Sequence, residues 1–118
     1  MKIYIKPLSV NGAWNTYCTK CKQAKTVRRT KTDKYKAFTK ELTLKLKPIK
    51  IDFKRDLSVH LTFGFSSTLS DIDNPLKCTL DVLQSKFGFD DKQIFELKVK
   101  KEIVKKGEEF IELKINEI

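Results

Sequence analysis

The chain has 118 residues, enough for one domain with a modest core. Hydrophobic residues make up 40% and charged residues 34%, which excludes a disordered tail, and no apolar run approaches the roughly 18 residues of a membrane-spanning helix. The net charge of +10 is unevenly spread: residues 1–70 hold sixteen basic and four acidic residues, residues 71–118 nine and eleven. Between Lys20 and Lys40 nine basic residues stand beside a single acid, Asp33. Such a segment points to a polyanion partner held by one half of the chain; the plainer alternative is a solvated lysine-rich surface. An odd number of cysteines and an N-terminal run broken by Lys2 and Pro7 predict a soluble, intracellular chain with no secretory signal.

The elements read as β-α-β-α-β-β in a single α+β domain over 1–118. Ile3 and Ile5 alternate in a first strand at 2–6. Pro7 to Lys31 is polar, basic and without period, a long loop or loose hairpin whose residues 10–31 are the expected contact for a polyanion. Thr32 or Asp33 can cap a helix to about Leu46, with Tyr35, Phe38, Leu42 and Leu46 along one face. Leu57, Val59, Leu61, Phe63 and Phe65 alternate with Ser58, His60, Thr62 and Gly64, the clearest strand in the chain. Asn74 suits the cap of a second helix and Pro75 its first position; Leu76, Leu80, Leu83 and Phe87 form the expected inward stripe, and Gly88 ends it. Residues 94–102 and 109–117 read as two strands joined in a hairpin by Lys105-Lys106-Gly107.

Asp71 and Asp73 are two residues apart. On extended backbone their carboxylates point the same way, a costly meeting unless a hard cation neutralises it; as plain caps and loop formers they need no cation. Lys77 follows in the first turn of the next helix, and Asp90 and Asp91 follow that helix's end. Carboxylates with a lysine on a basic protein suit phosphodiester chemistry. Mg²⁺ polarises a phosphoryl oxygen and acidifies water, and a lysine stabilises transition-state charge.

The order Asp71-Ile72-Asp73-Asn74-Pro75-Leu76-Lys77, then a helix with Asp81-Val82-Leu83, then Gly88-Phe89-Asp90-Asp91, resembles the RusA family of Holliday-junction resolvases. That family's signature is Asp-x-Asp-Asn-x-x-Lys, a helix, a Gly-aromatic segment and Asp-Asp. Pro7-x-Ser9-x-Asn11 and the basic stretch leading to Tyr35 extend the likeness over nearly the whole chain. Leu69 and Ser70 stand where the family commonly carries basic residues, and Cys18-Thr19-Lys20-Cys21 has no counterpart in its pattern. The resemblance implies that Asp71, Asp73 and Asp91 bind Mg²⁺, with Mn²⁺ as a substitute, and that Lys77 assists the chemistry. Of the final pair, the second aspartate carries the ligand role in the family pattern. It also implies a compact mixed sheet with helices packed on it, and a cytoplasmic homodimer that cuts four-way DNA junctions by paired nicks in recombination and repair. Small resolvases of this type are often encoded by phages or prophages. No membrane and no small-molecule cofactor enter this scheme.

Lys20, Lys22, Lys25, Arg28, Arg29, Lys31, Lys34 and Lys36 are the candidate phosphate contacts, with Trp14 and Tyr17 as stacking candidates and Tyr35 as core. Cys18 and Cys21 have half of a zinc-site spacing and read as two reduced thiols; His60 reads as a surface histidine. The rival to a nuclease is a non-catalytic basic module that holds branched or duplex DNA without cutting it.

Overall fold

The computed structural model describes residues 1–8, 14–18, 27–31 and 33–118, of which 14–18 and 27–31 as backbone. Its elements are β1 (Lys2–Ile3), β2 (Trp14–Cys18), β3 (Val27–Lys31), α1 (Asp33–Lys45), β4 (Leu57–Phe65), α2 (Leu76–Phe87), β5 (Ile94–Ile103) and β6 (Phe110–Glu117). The α+β class expected from the sequence is the one observed.

Four strands form a mixed sheet in the order β1-β6-β4-β5. β4 holds the centre because it is apolar enough to be covered. Its side chains at Leu57, Val59, Leu61 and Phe63 are at most 1% exposed. They share one face of the sheet with Ile111, Leu113 and Ile115 of β6, and Tyr35, Phe38 and Leu42 of α1 and Val82 and Leu83 of α2 complete the core with them. The opposite face carries Ser58, His60 and Thr62, and there Phe110 packs over Gly64, where any Cβ would meet its ring. β4 and β5 run parallel, as a connection through a helix requires, while β6 runs antiparallel to both β4 and β1.

Four expectations are corrected. Strands β5 and β6 do not form a hairpin. The Lys105–Glu108 turn exists, with the Glu108 N–H donating to the Lys105 carbonyl at 2.9 Å, but the chain passes the end of β4, where Val104 N–H bonds the Phe65 carbonyl at 2.8 Å. β6, with four of its side chains buried, fills an interior position, and the charged β5 goes to the edge. The first strand pairs over Lys2–Ile3 only, although Ile3 and Ile5 are both buried. The inward face of α2 is broader than the expected stripe. Cys78, Thr79, Val82 and Leu83 are its buried residues, and Leu76, Leu80 and Phe87 pack at its margins because the helix meets both the sheet and α1. Finally, Asn74 does not cap α2. Pro75 takes the cap position at φ −85°, and the Asn74 side-chain amide turns back to the Asp71 carboxylate at 3.4 Å.

The segment 7–31 contains an antiparallel pair, β2 with β3, in register Trp14↔Lys31 through Cys18↔Val27, so the hairpin alternative holds for those residues. Lys20, Lys22, Lys25 and Cys21 lie outside the described residues, as do the side chains of Trp14, Tyr17, Cys18, Arg28, Arg29 and Lys31.

Candidate active site

The loop leaving β4 carries the first carboxylates. From Ser67 it folds into consecutive turns: Ser70 N–H donates to the Ser67 carbonyl, Asn74 N–H to that of Asp71 at 3.3 Å and Leu76 N–H to that of Asp73 at 3.2 Å. Asp71 and Asp73 therefore sit on turn backbone and not on an extended strand, and both are exposed. Asp71 borders a cleft of about 610 Å³ whose walls include Lys6, Lys34, Phe38, Phe65 and Asn74.

The loop is tied to the sheet by Lys101. Its ammonium donates to the carbonyls of Thr68, at 3.1 Å, and Ser70, the residue before Asp71. Lys101 stands opposite Phe63 in the register, on the helix-covered side of β5. A lysine at the parity of Leu97, Val99 and Ile103 was the sequence signal for this tie, and periodicity analysis passed over it. Replacing it by methionine keeps the stem and removes both bonds. Lys101→Met is expected to cut the rate of the expected phosphodiester cleavage by about tenfold to a hundredfold with the melting temperature little changed, and Lys101→Arg to recover part of the loss. Unchanged cleavage rates would show that the loop needs no such tie.

One face of α2 carries the second group. Lys77, Asp81 and Gln84 follow at four- and three-residue spacing, and the Lys77 ammonium pairs with the Asp81 carboxylate at 3.0 Å. The hydrogen bond and charge of Asp81 raise the Lys77 pKa, and Asp91 adds to it through space. Lys77 thus stays protonated and acts as a cation. The pair runs in the less favourable direction for a helix, with the cation in the first turn, so helix stability does not account for it. Burial, followed by the charge of Asp81, raises the Tyr35 hydroxyl above its ordinary pKa, which brings α1 to the same place. Sequence reasoning missed Asp81 as a partner of Lys77; the i,i+4 spacing was its signal.

Past Gly88, left-handed at φ 73°, the chain turns into a short 3₁₀ helix at Asp91–Gln93. Asp90 caps it: its carboxylate accepts from Lys92 N–H at 3.2 Å, and Gln93 returns a bond to Asp90 N–H at 2.9 Å. The Gln93 amide also donates to the carbonyls of Phe53, at 2.7 Å, and Arg55, while Phe53 stacks on Phe87 and Phe89. Asp91 N–H donates to the Gln84 side chain at 3.1 Å. Asp90 is thus engaged as a cap, whereas Asp91 is exposed.

The Lys92 N–H, donating to the carboxylate, holds Asp90 below its ordinary pKa of 3.8. A carboxyl depressed in the folded state stabilises fully above its unfolded pKa and loses that contribution as pH falls through the folded value. Asp90→Asn keeps a capping side chain without the charge. Its stability deficit is expected at about pH 5 and to shrink toward about pH 2.5, read from urea melts. A pH-independent difference would refute this assignment.

His60 behaves as a surface residue, its Nε2 within 2.9 Å of a Glu96 oxygen and 3.2 Å of Ser58 Oγ. Cys78 is buried in α2. Among the described residues no three His, Cys, Asp or Glu side chains form a group able to hold a metal ion. Asp71 and Asp73 lie at one end of α2 and Asp91 beyond the other, with Lys77 electrostatically linked to Asp91. Lys34 and Lys36 are exposed on α1.

Exposed carboxylates and a protonated lysine around one helix of a basic α+β chain are compatible with phosphodiester chemistry, and the family of the chain is shown by comparison. The family model Endodeoxyribonuclease RusA matches residues 7–116, nearly the whole chain, and the protein belongs to that family. It is therefore an endodeoxyribonuclease, an enzyme that hydrolyses DNA; the family's activity is Holliday-junction resolution, its substrates are branched DNA junctions, and such nucleases generally use divalent metal ions. No curated protein matches the chain significantly. No helix among the described residues is long and apolar enough to cross a membrane.

Proposed function

We propose that the protein resolves four-way junctions by Mg²⁺-dependent paired nicks, as a homodimer in the cytoplasm, in DNA recombination and repair, with Asp71, Asp73, Lys77 and Asp91 as its working residues. What carries this reading is the family match over residues 7–116 together with the placement of those four residues on the surface around α2.

The donor chemistry suits Mg²⁺: Asp71, Asp73 and Asp91 offer only hard oxygens. One chain does not gather three of them, and Mg²⁺ commonly takes one or two carboxylates plus substrate phosphate oxygens and water. The remaining oxygens then come from the DNA or from a second subunit. When bound, the cation supplies polarisation of the phosphoryl oxygen and acidification of water. The chain's own residues do the rest. Lys77, kept protonated by Asp81, stabilises charge building on the phosphate and has a proton to give to the leaving oxygen. Lys101 holds the Asp71 loop in place. The lysines and arginines of the 20–36 segment offset the repulsion between acidic site and DNA.

Two strands of a four-way junction must be cut at related positions, which two equivalent sites on a two-fold axis can do. The test is cleavage of a synthetic four-way junction beside a linear duplex of the same sequence, in Mg²⁺, in Mn²⁺ and in EDTA. Paired symmetric nicks in the junction, dependent on metal and steeply weakened by salt, are the expected result. Salt-sensitive binding with no cleavage of branched DNA under any divalent metal would establish the non-catalytic binder instead.

A further inference from the structure

We propose that β5 is the surface on which two copies of this chain join, edge to edge and antiparallel, about a two-fold axis at Lys100. The inference rests on the homodimer of the functional reading and names where that dimer forms.

β5 ends the four-stranded sheet, so one side of its ten-residue backbone has no ladder partner among the described residues. Its pairing with β4 is irregular only at the start, where the register shifts past Phe95, and from Glu96 to Ile103 it is regular. That straight stretch contains no proline. Exposed edges of this kind are templates for another strand, and lysines commonly keep such strands apart. Here the charges are self-complementary.

Opposed residues of an antiparallel pair share a face, so a two-fold axis normal to the sheet can sit only at a residue. An axis at Val99 sets Glu96 against the partner's Glu102 and Lys98 against the partner's Lys100, two repulsive meetings on each side. An axis at Lys98 demands Glu96 for the partner's Lys100, but Glu96 is already engaged by Ser58 and His60. An axis at Lys100 sets Lys98 against the partner's Glu102, and neither makes an ion pair among the described residues of its own chain. The same register lays Leu97 against the partner's Ile103; these are 41% and 48% exposed, half-covered at the rim of the core face. An axis at Lys101 also sets Glu102 against a lysine, the partner's Lys100, but it leaves Lys98 without an acidic partner and brings together two copies of Lys101, whose ammonium is held by the Thr68 and Ser70 carbonyls. The cost of the Lys100 axis is one meeting of Lys100 with its own copy, exposed to solvent.

The arrangement joins two four-stranded sheets into one of eight and keeps the helices of both copies on the same side. Lys101, opposite the partner's Val99, then brings both Asp71 loops to that side, flanking the axis. Two sites on one face are what paired cuts in a single junction require.

The test is molecular mass by sedimentation for the wild type, Lys98→Glu, Glu102→Lys and the double variant. Each single exchange turns two attractive pairs into two repulsive ones and is expected to weaken dimerisation about tenfold or more, while the double exchange restores it. Lys100→Cys, which would lie beside its own copy, is expected to give a disulfide-linked dimer on mild oxidation that the wild type does not. A dimer unaffected by the single exchanges, with no Lys100→Cys cross-link above wild type, overturns this interface and leaves the dimer itself standing. A wild type that is monomeric even when bound to a junction overturns both.

Discussion

Asp71→Asn is expected to lower the single-turnover rate of junction cleavage by about 10²- to 10³-fold and to leave junction binding intact. The substitution is nearly isosteric, and the residue is exposed on a turn. Among the described residues its one side-chain hydrogen bond comes from Asn74 at a long 3.4 Å, so the fold loses little. What disappears is a hard anionic oxygen at the end of the loop that Lys101 fixes. Binding is expected to tighten slightly, because one negative charge is removed from a surface that meets phosphates. Rates for Asp71→Asn within about twofold of the wild type would remove Asp71 from the chemistry.

The second large effect concerns stability. Phe63→Ala is expected to cost about 3–5 kcal/mol. Phe63 is the largest of the fully buried side chains among the described residues, on β4 between Lys101 of β5 and Ile111 of β6. Two flanking strands and the helices above leave its site little room to collapse. Small domains are stable by about 5–15 kcal/mol, so the loss takes at least about a fifth of the total and lowers the melting temperature by about 10–20 °C. Leu44→Ala, on the exposed side of α1 at 76% exposure, is expected to stay within about 0.5 kcal/mol. Similar melting temperatures for the two variants would contradict the assigned core.

Periodicity made the core face of α1 and the apolar face of β4 legible in the sequence, because α1 is half-buried and β4 alternates apolar with small or polar residues, although the second face of β4 is also largely covered. It could not say which strands are neighbours. The alternation in β5 and β6 is equally compatible with a hairpin and with two strands separated by β4, and burial rather than turn chemistry decided between them. The width of the α2 contact was illegible for a related reason: a helix wedged between a sheet and another helix buries small residues such as Cys78 and Thr79, which no hydrophobic stripe announces. Motif order carried the family, while local geometry at the motif did not follow from spacing. The Asp71–Pro75 segment is a series of turns satisfied by its own backbone, so the two aspartates do not share the face an extended strand would give them. Asp90 and Asp91 look equivalent in sequence. They differ because Asp90 is spent on a cap that only the following 3₁₀ helix calls for.

The place of β6 bears on how the chain acquires its structure. It lies between β1 and β4, pairing Glu112 with Lys2 and Glu117 with Leu57, so the most protected part of the sheet is stitched from segments far apart along the chain. High contact order of this kind slows folding into the range of milliseconds to seconds. Until residues 110–117 leave the ribosome, β4 has one open flank and its apolar side chains lack their cover. The nascent protein is then most prone to aggregate, and a chaperone that shields the β4 flank would gain most at that stage.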